Sequence, residues 1–407
     1  MTTRSETYPN AGKGFLRRRL LDTFKLLNHG QLRLCDEHGE WTFGSQASDN
    51  LVAEINVNDL RFYRRLALGG SVGAGESYID GDWDTPNLTD VVRLMTRNRD
   101  LLDQMDSGLA SFAAALLKLW HRKNDNSIEG SQRNIHAHYD TSNEFFEEIL
   151  DRSMMYSCAD FRHPGENLEQ AQANKLQRIC ETLNLRKHDH VLEIGTGWGG
   201  FAEYAAKHYG CRVTTTTISK EQHDFAAARF KASGVDGQIT LLLKDYRDLE
   251  GQYDKVVSIE MVEAVGENYL DGYFDTIHKH LKPGAQALIQ AITIEDWRYE
   301  QAVRSVDFIK RHVFPGSFIP CVSVLTRSAA ESQLLLSGLQ DIGSSYADTL
   351  KAWNNRMFAA WPKLTQMGFD HTFKRLWHFY FCYCEGGYRE GALSDVQLLF
   401  SKSQAKQ

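Results

Sequence analysis

The chain has 407 residues, 42% of them hydrophobic and 24% charged, enough for a buried core and two domains, and no run approaches the roughly 18 apolar residues that span a bilayer. A formal net charge of -7 argues against bulk nucleic-acid binding. Seven scattered cysteines without a CxxC pair speak against disulfides and structural zinc and favour a reducing cytoplasm.

Met1–Gly14 has no apolar core ahead of a cleavage site, so no secretory signal is expected. Residues 13–28 (KGFLRRRLLDTFKLLN) predict a helix, with Phe15, Leu16, Leu20, Phe24 and Leu27 at helical spacing among basic residues. It is either a surface helix packed on its own domain or one lying on an anionic membrane. Residues 31–60 alternate like short strands (Leu32, Leu34; Trp41, Phe43; Ile55, Val57). Ala67–Trp83 holds five glycines, and its GAGES stretch (73–77) reads as a structural turn rather than a phosphate site. Leu88–Arg122 reads as helices. The polar stretch 123–133 reads as a linker between an N-terminal domain (1–122) and a larger domain (134–407).

Beyond residue 134 strand-like and helix-like runs alternate. The strands are VLEIG (191–195), CRVTTTT (211–217), ITLLL (239–243), KVVSI (255–259), AQALIQAIT (285–293) and VQLLF (396–400). Helices are expected at Gly200–Tyr209, Lys220–Ala232 and Tyr269–Leu281. This pattern predicts an α/β domain with a parallel sheet covered by helices on both faces. The aromatic and basic segment 296–377 is expected to form a helical cap, with no further sheet.

Val191–Gly200 reads VLEIGTGWGG: a buried strand, a tight turn and a helix start. Gly195 and Gly197 let the backbone approach a ligand, and the helix presents its first N–H groups. The spacing also fits a dinucleotide fingerprint. That fingerprint wants an acid at the tip of the second strand. Here the tip is Thr217-Ile218-Ser219-Lys220, and Glu193 stands two residues before the first glycine. This placement resembles the first motif of class I methyltransferases, which bind S-adenosylmethionine. Asp245-Tyr246-Arg247-Asp248 then follows the third strand, where such enzymes contact the adenine.

Together with these, the chain resembles the cyclopropane-fatty-acyl-phospholipid synthases and their mycolic-acid and methyl-branching relatives over nearly its whole length. The motifs are Gly69–Trp83, His138-Tyr139-Asp140 with Asn143–Phe146, Met155–Ala159, Glu193–Gly200, Thr217–Ser219 with Gln222, Asp245–Asp248, Glu260–Gly266, Phe314-Pro315-Gly316, Tyr346, and Cys384 before Gly386–Arg389. The resemblance implies a class I S-adenosylmethionine-dependent methyltransferase sheet, Rossmann-like, with a helical cap and a smaller N-terminal domain. It implies that the double bond of an unsaturated phospholipid acyl chain attacks the sulfonium methyl, and that a bound bicarbonate deprotonates the resulting carbocation to close a ring. Tyr156, Ser157, Glu193, Gly195, Gly197, Gly199, Thr217, Gln222, Tyr246 and Arg247 match cofactor positions. The backbone of Cys158, Glu263, Ile292 and Tyr346 match the bicarbonate cage. Gln290 stands in the same region where the family often has histidine, and it cannot shuttle a proton as histidine does. Glu260 is an additional carboxylate, either repelling Glu263 or simply solvated. A homodimer in peripheral contact with the cytoplasmic face of the membrane is also implied, with the N-terminal domain (1–122) expected to make the lipid contact and the dimer.

An alkene is a feeble nucleophile, so such chemistry rests on positioning and on stabilising positive charge. The 16 Tyr, 21 Phe and 8 Trp supply faces for a cation. The competing readings are methyl transfer without ring closure, suggested by Gln290, and a lipid-binding protein with a vestigial site. Cys158 and Cys384 read as small buried residues rather than nucleophiles. His136 and His138 lack a third metal ligand, and His278 and His280 are expected on a helix surface.

Overall fold

The chain, seen in a computed structural model, is described over residues 11–45, 49–100 and 142–404. The expected linker 123–133, His136, the His138-Tyr139-Asp140 motif and the helical reading of 101–122 lie outside those residues.

Helix α1 (Ala11–Phe24) leads into β1 (Gly30–Asp36), β2 (Gly39–Ser45), β3 (Val52–Val57), α2 (Arg61–Ile79), the short β4 (Trp83–Asp84) and α3 (Leu88–Arg97). The strands form one sheet in the order β2-β1-β3-β4, with β1 and β3 parallel. Leu20, Leu21 and Phe24 of α1 are buried, so this helix spends its apolar face on its own domain.

Arg17 is not one of the exposed basic residues. Its Nε donates to Asp36 Oδ2 at 2.8 Å, and Tyr63 donates its hydroxyl to the same oxygen at 2.5 Å. Burial alone would raise the Asp36 pKa, but the hydrogen bonds from Arg17, Tyr63 and the His38 N–H hold it below its ordinary value. Asp36→Ala leaves the Arg17 charge buried without its partner and is expected to cost roughly 3–5 kcal/mol in a denaturant titration. Because the folded pKa is depressed, this stabilisation is present above the ordinary value of 3.8 and disappears as pH falls through the folded one.

The GAGES stretch is helix, not a turn. It lies inside α2, which kinks at Gly70. A Cβ at Gly75 would collide with the rings of Phe308 and Phe379, so glycine here permits close packing against the second domain. The apolar core is continuous between the two parts: Leu34, Phe62 and Trp83 join Phe145, Trp353 and Trp377 in one cluster. Arg375 reaches back to Asp84 at 2.8 Å, and Arg93 and Arg97 both reach Glu390, at 2.7 and 2.6 Å.

In the larger part, α4 (Asn143–Ile149) and α5 (Leu168–Thr182) precede the alternating units β5 (His190–Ile194), α6 (Gly200–Tyr209), β6 (Arg212–Thr217), α7 (Lys220–Ser233), β7 (Ile239–Leu243), β8 (Tyr253–Ile259), α8 (Leu270–His280) and β9 (Leu281–Ile294). Short helices α9 (Tyr299–Val303) and α10 (Phe308–His312), then α11 (Val322–Glu331), β10 (Leu334–Asp341), α12 (Gly343–Gln366), α13 (His371–Arg389) and β11 (Leu393–Lys402) complete it. The sheet order is β10-β11-β9-β8-β5-β6-β7. Strands β5 to β9 are mutually parallel, and β11 runs antiparallel to β9 and β10. This is the α/β sheet expected from the sequence, with two antiparallel pairings added at one edge.

The segment 296–377 departs from expectation in one respect. Most of it is helical, but Leu334–Asp341 is the outer strand of the sheet, with Leu335, Leu336 and Leu339 exposed. An edge strand with one open side lacks the buried alternation that marks central strands. His280 also differs: it is buried, and its Nδ1 lies 2.8 Å from the Gly251 carbonyl.

Candidate active site

The chain order reverses between β5 and β8, so their C-terminal ends open a crevice at the switch point of the sheet. A cavity of about 1110 Å³ fills it, more than a single small ligand requires. Its walls run from the turn after β5 and the ends of β6, β7 and β8 to α12 and α13, and to Gly69–Ser71 of the N-terminal part. Among the described residues no group of three or more His, Cys, Asp or Glu is arranged to hold a metal ion.

Of the residues expected to hold the cofactor, Tyr156, Ser157, Glu193, Gly195, Gly197, Thr217, Gln222, Tyr246 and Arg247 all line this cavity. Gly199 does not. It caps α6 with φ +87°, and a Cβ there would stand 2.7 Å from the Phe230 ring. Its glycine is required by packing. Gly195 has φ +97° and Gly197 φ +51°, and a Cβ at Gly197 would meet nothing within 4 Å.

Glu193 is buried and accepts from Thr215 Oγ1 at 2.6 Å. Burial pushes its pKa up to about 8 against that hydrogen bond. Ser219 caps α7 through the Gln222 N–H, and Thr217 donates to Gln222 Oε1 at 2.9 Å. Arg247 folds back on Asp245 with Nε and Nη2 both at 2.8 Å, which stiffens the loop beside Tyr246. Ser157 accepts from the buried Lys175 at 2.6 Å. An open turn, a buried carboxyl and an aromatic side chain after β7 fit the methionine and adenine ends of S-adenosylmethionine.

The second half of the cavity is aromatic. The Tyr156 ring lies 5.1 Å from Phe146, 5.2 Å from Trp353 and 6.3 Å from Phe314. Tyr346 stacks on Tyr388 at 4.6 Å. These faces suit a cation held away from water.

Between the two halves sits Glu260. Its Oε1 accepts from the Cys158 N–H at 2.7 Å and from Gln290 Nε2 at 2.9 Å, and its Oε2 accepts from the Tyr346 hydroxyl at 2.6 Å. Glu260 is therefore neither simply solvated nor a bystander. Glu263 accepts from the Ile292 N–H at 2.6 Å through Oε1, while its buried Oε2 has no partner. Burial, then the charge of Glu260, push the Glu263 pKa up to about 8. Gln290 and Cys158 do not line the cavity; Gln290 is fully buried and accepts from Gln397 Nε2 at 3.1 Å.

A bicarbonate does not fit the expected cage. Two of the donors meant for it, the Cys158 N–H and the Tyr346 hydroxyl, already serve the chain's own carboxylate, as does Gln290. The Ile292 N–H is likewise taken by Glu263 Oε1, although Glu263 Oε2 is left without a partner. Burial pushes the thiols of Cys158 and Cys384 upward, so neither is a ready nucleophile.

Sequence reasoning did not single out Lys175, Asp395 or Gln397. Asp395 is buried, with neither carboxyl oxygen accepting a hydrogen bond, and burial and the Glu260 charge push its pKa well up. Two polar residues within the apolar run DVQLLF (395–400) were the available signal, since register places them opposite Ile292 and Gln290.

A family model described as mycolic acid cyclopropane synthetase matches residues 126–398. The tuberculostearic acid methyltransferase UfaA1 of Mycobacterium tuberculosis is 34% identical over 82% of this chain and 79% of its own length. The cyclopropane-fatty-acyl-phospholipid synthase of Escherichia coli K12 is 36% identical over 86% of this chain and 88% of its own. Among solved structures, the mycolic acid cyclopropane synthase CmaA1 complexed with SAH and CTAB superposes with a TM-score of 0.62 at 25% identity, covering 67% of this chain and 98% of that one.

Proposed function

This chain belongs to the mycolic acid cyclopropane synthetase family, and from that premise we propose that it modifies the cis double bond of an unsaturated phospholipid acyl chain, forming a cyclopropane with a methyl taken from S-adenosylmethionine. The observation that carries this reading is a single cavity joining the glycine turn after β5, an aromatic chamber and the buried carboxylates Glu260 and Glu263. S-adenosylmethionine supplies an electrophilic methyl on a positively charged sulfur.

Gly195, Gly197, Glu193, Thr217, Gln222 and Tyr246 hold the donor on this reading. Tyr156, Phe314, Tyr346, Tyr380 and Tyr388 face the acyl chain and shield its cation from water. The protein meets its lipid at the membrane surface: Trp297 is 77% exposed beside the cavity-lining Arg298, and tryptophan suits the boundary between water and lipid. No described helix is long and apolar enough to cross a membrane. No step is routed through bicarbonate, because its donors are engaged.

A second reading, a methyl- or methylene-branched product without a ring, is favoured by Gln290 in place of histidine and by the likeness to UfaA1. One experiment separates the two. The purified chain is incubated with S-adenosylmethionine and monounsaturated phospholipid vesicles, and the released fatty acids are weighed by mass spectrometry. A gain of one CH₂ that resists hydrogenation indicates the ring. A product that takes up hydrogen indicates the branched alkene, and no gain in mass defeats both.

A further inference from the structure

We infer that Glu260 is the base that removes the proton from the newly transferred methyl, so that the chain carries in its own sequence the carboxylate that a bicarbonate would otherwise bring. The inference rests on the proposed attack of an acyl double bond on the methyl donor.

Three donors from distant parts of the chain converge on Glu260: the Cys158 N–H, the Gln290 amide and the Tyr346 hydroxyl. A carboxylate has about four acceptor positions; these donors take three and leave one on Oε2, and the buried Asp395 carboxyl also bonds to Glu260. The residue lines the cavity between the glycine turn and the aromatic chamber. Its backbone is in the left-handed region, with φ +47°, and its N–H is tied to the Gln290 carbonyl at 2.9 Å. A non-glycine residue held there is strained, and such strain persists where the surroundings impose it, often at functional sites.

Gln290 now has a role that needs no proton shuttle. Gln397 fixes its amide by donating to Oε1, which leaves Nε2 pointing its N–H at Glu260. Glu263 is the rival base, but its buried Oε2 has no donor, and burial beside Glu260 favours its protonated form at neutral pH.

The step balances. The alkene π pair forms the bond to the methyl carbon as that carbon's bond to sulfur breaks, leaving a cation on the acyl chain. Glu260 Oε2 takes a proton from the new methyl. The electron pair of that C–H bond closes the ring and cancels the cation, and the proton passes from Glu260 to solvent once product leaves. The three donors spread the carboxylate's charge, which disfavours its capture of the cation as an ester.

The test uses the full chain with S-adenosylmethionine and dioleoyl-phosphatidylglycerol vesicles, in buffer purged of carbon dioxide or supplemented with bicarbonate. Native turnover should be the same in both. Glu260→Gln should lose about 100-fold or more in turnover while binding S-adenosylmethionine with native affinity by calorimetry, which also shows that it is folded. Glu260→Gly, at a backbone conformation glycine adopts freely, should regain turnover with bicarbonate. The inference is overturned if native turnover collapses on purging and returns with bicarbonate, or if Glu260→Gln stays active while Glu263→Gln does not. If the native chain binds S-adenosylmethionine but never transfers its methyl, the proposed function itself fails, and the inference with it.

Discussion

Replacing Gly195 with valine is expected to lower the affinity for S-adenosylmethionine by about 100-fold or more, measured by titration calorimetry. The residue ends β5 with φ +97°, where a β-branched side chain is a severe outlier. A Cβ would also stand 3.2 Å from the Met261 side chain on the cavity wall. If the turn keeps its shape, strain of roughly 1–3 kcal/mol is carried into the bound state; if it relaxes, the Gly195 and Thr196 N–H bonds to the Thr216 carbonyl that fix the turn beside the cavity are disturbed. Three kcal/mol is about two decades of affinity. Gly199→Ala provides the contrast. Its Cβ meets Phe230 and Ala226 outside the cavity, so it should lower the unfolding midpoint more than the affinity. Native affinity in Gly195→Val would remove the glycine turn from the cofactor site.

Tyr346→Phe should reduce turnover by about 10- to 100-fold and leave S-adenosylmethionine binding unchanged. The hydroxyl donates to Glu260 Oε2 at 2.6 Å, and burial with the nearby Glu260 charge keeps the phenol protonated. A hydrogen bond to a charged group contributes roughly 1.5–3 kcal/mol, which sets the range. Tyr346 acts through Glu260 and so is a positioning residue. The loss should fall on kcat rather than on KM. Steady-state kinetics with the lipid varied makes the check; a change confined to KM would mean that Tyr346 only shapes the acyl tunnel.

Much of the fold was legible because it is written locally. Strands β5 to β8 are short apolar or β-branched runs, and the helices α6 and α7 begin at the expected Gly200 and Lys220. Even the four consecutive buried threonines of β6 read as strand, and their hydroxyls find partners: His190, Glu193, the Lys244 carbonyl and Gln222. The N-terminal glycines misled in the opposite sense. Glycine density suggests a turn, but in α2 Gly75 makes room for the Phe308 and Phe379 rings, a requirement set by segments more than 200 positions away, and Gly73 for the Arg65 backbone. β10 was missed for a related reason, since an edge strand carries no two-sided burial pattern.

The site divides the same way. By itself the sequence determined the cofactor end, because a strand, a left-handed glycine turn and a helix start within ten residues are one continuous object whose chemistry follows from its backbone. The other end was decided only by tertiary structure. Glu260 was visible as a second carboxylate beside Glu263, but its partners Cys158, Tyr346 and Gln290 lie 102, 86 and 30 positions away. Whether a carboxylate in such a place is solvated, repelled or caged depends on which donors folding brings to it. That is a property of packing, and no spacing along the chain encodes it.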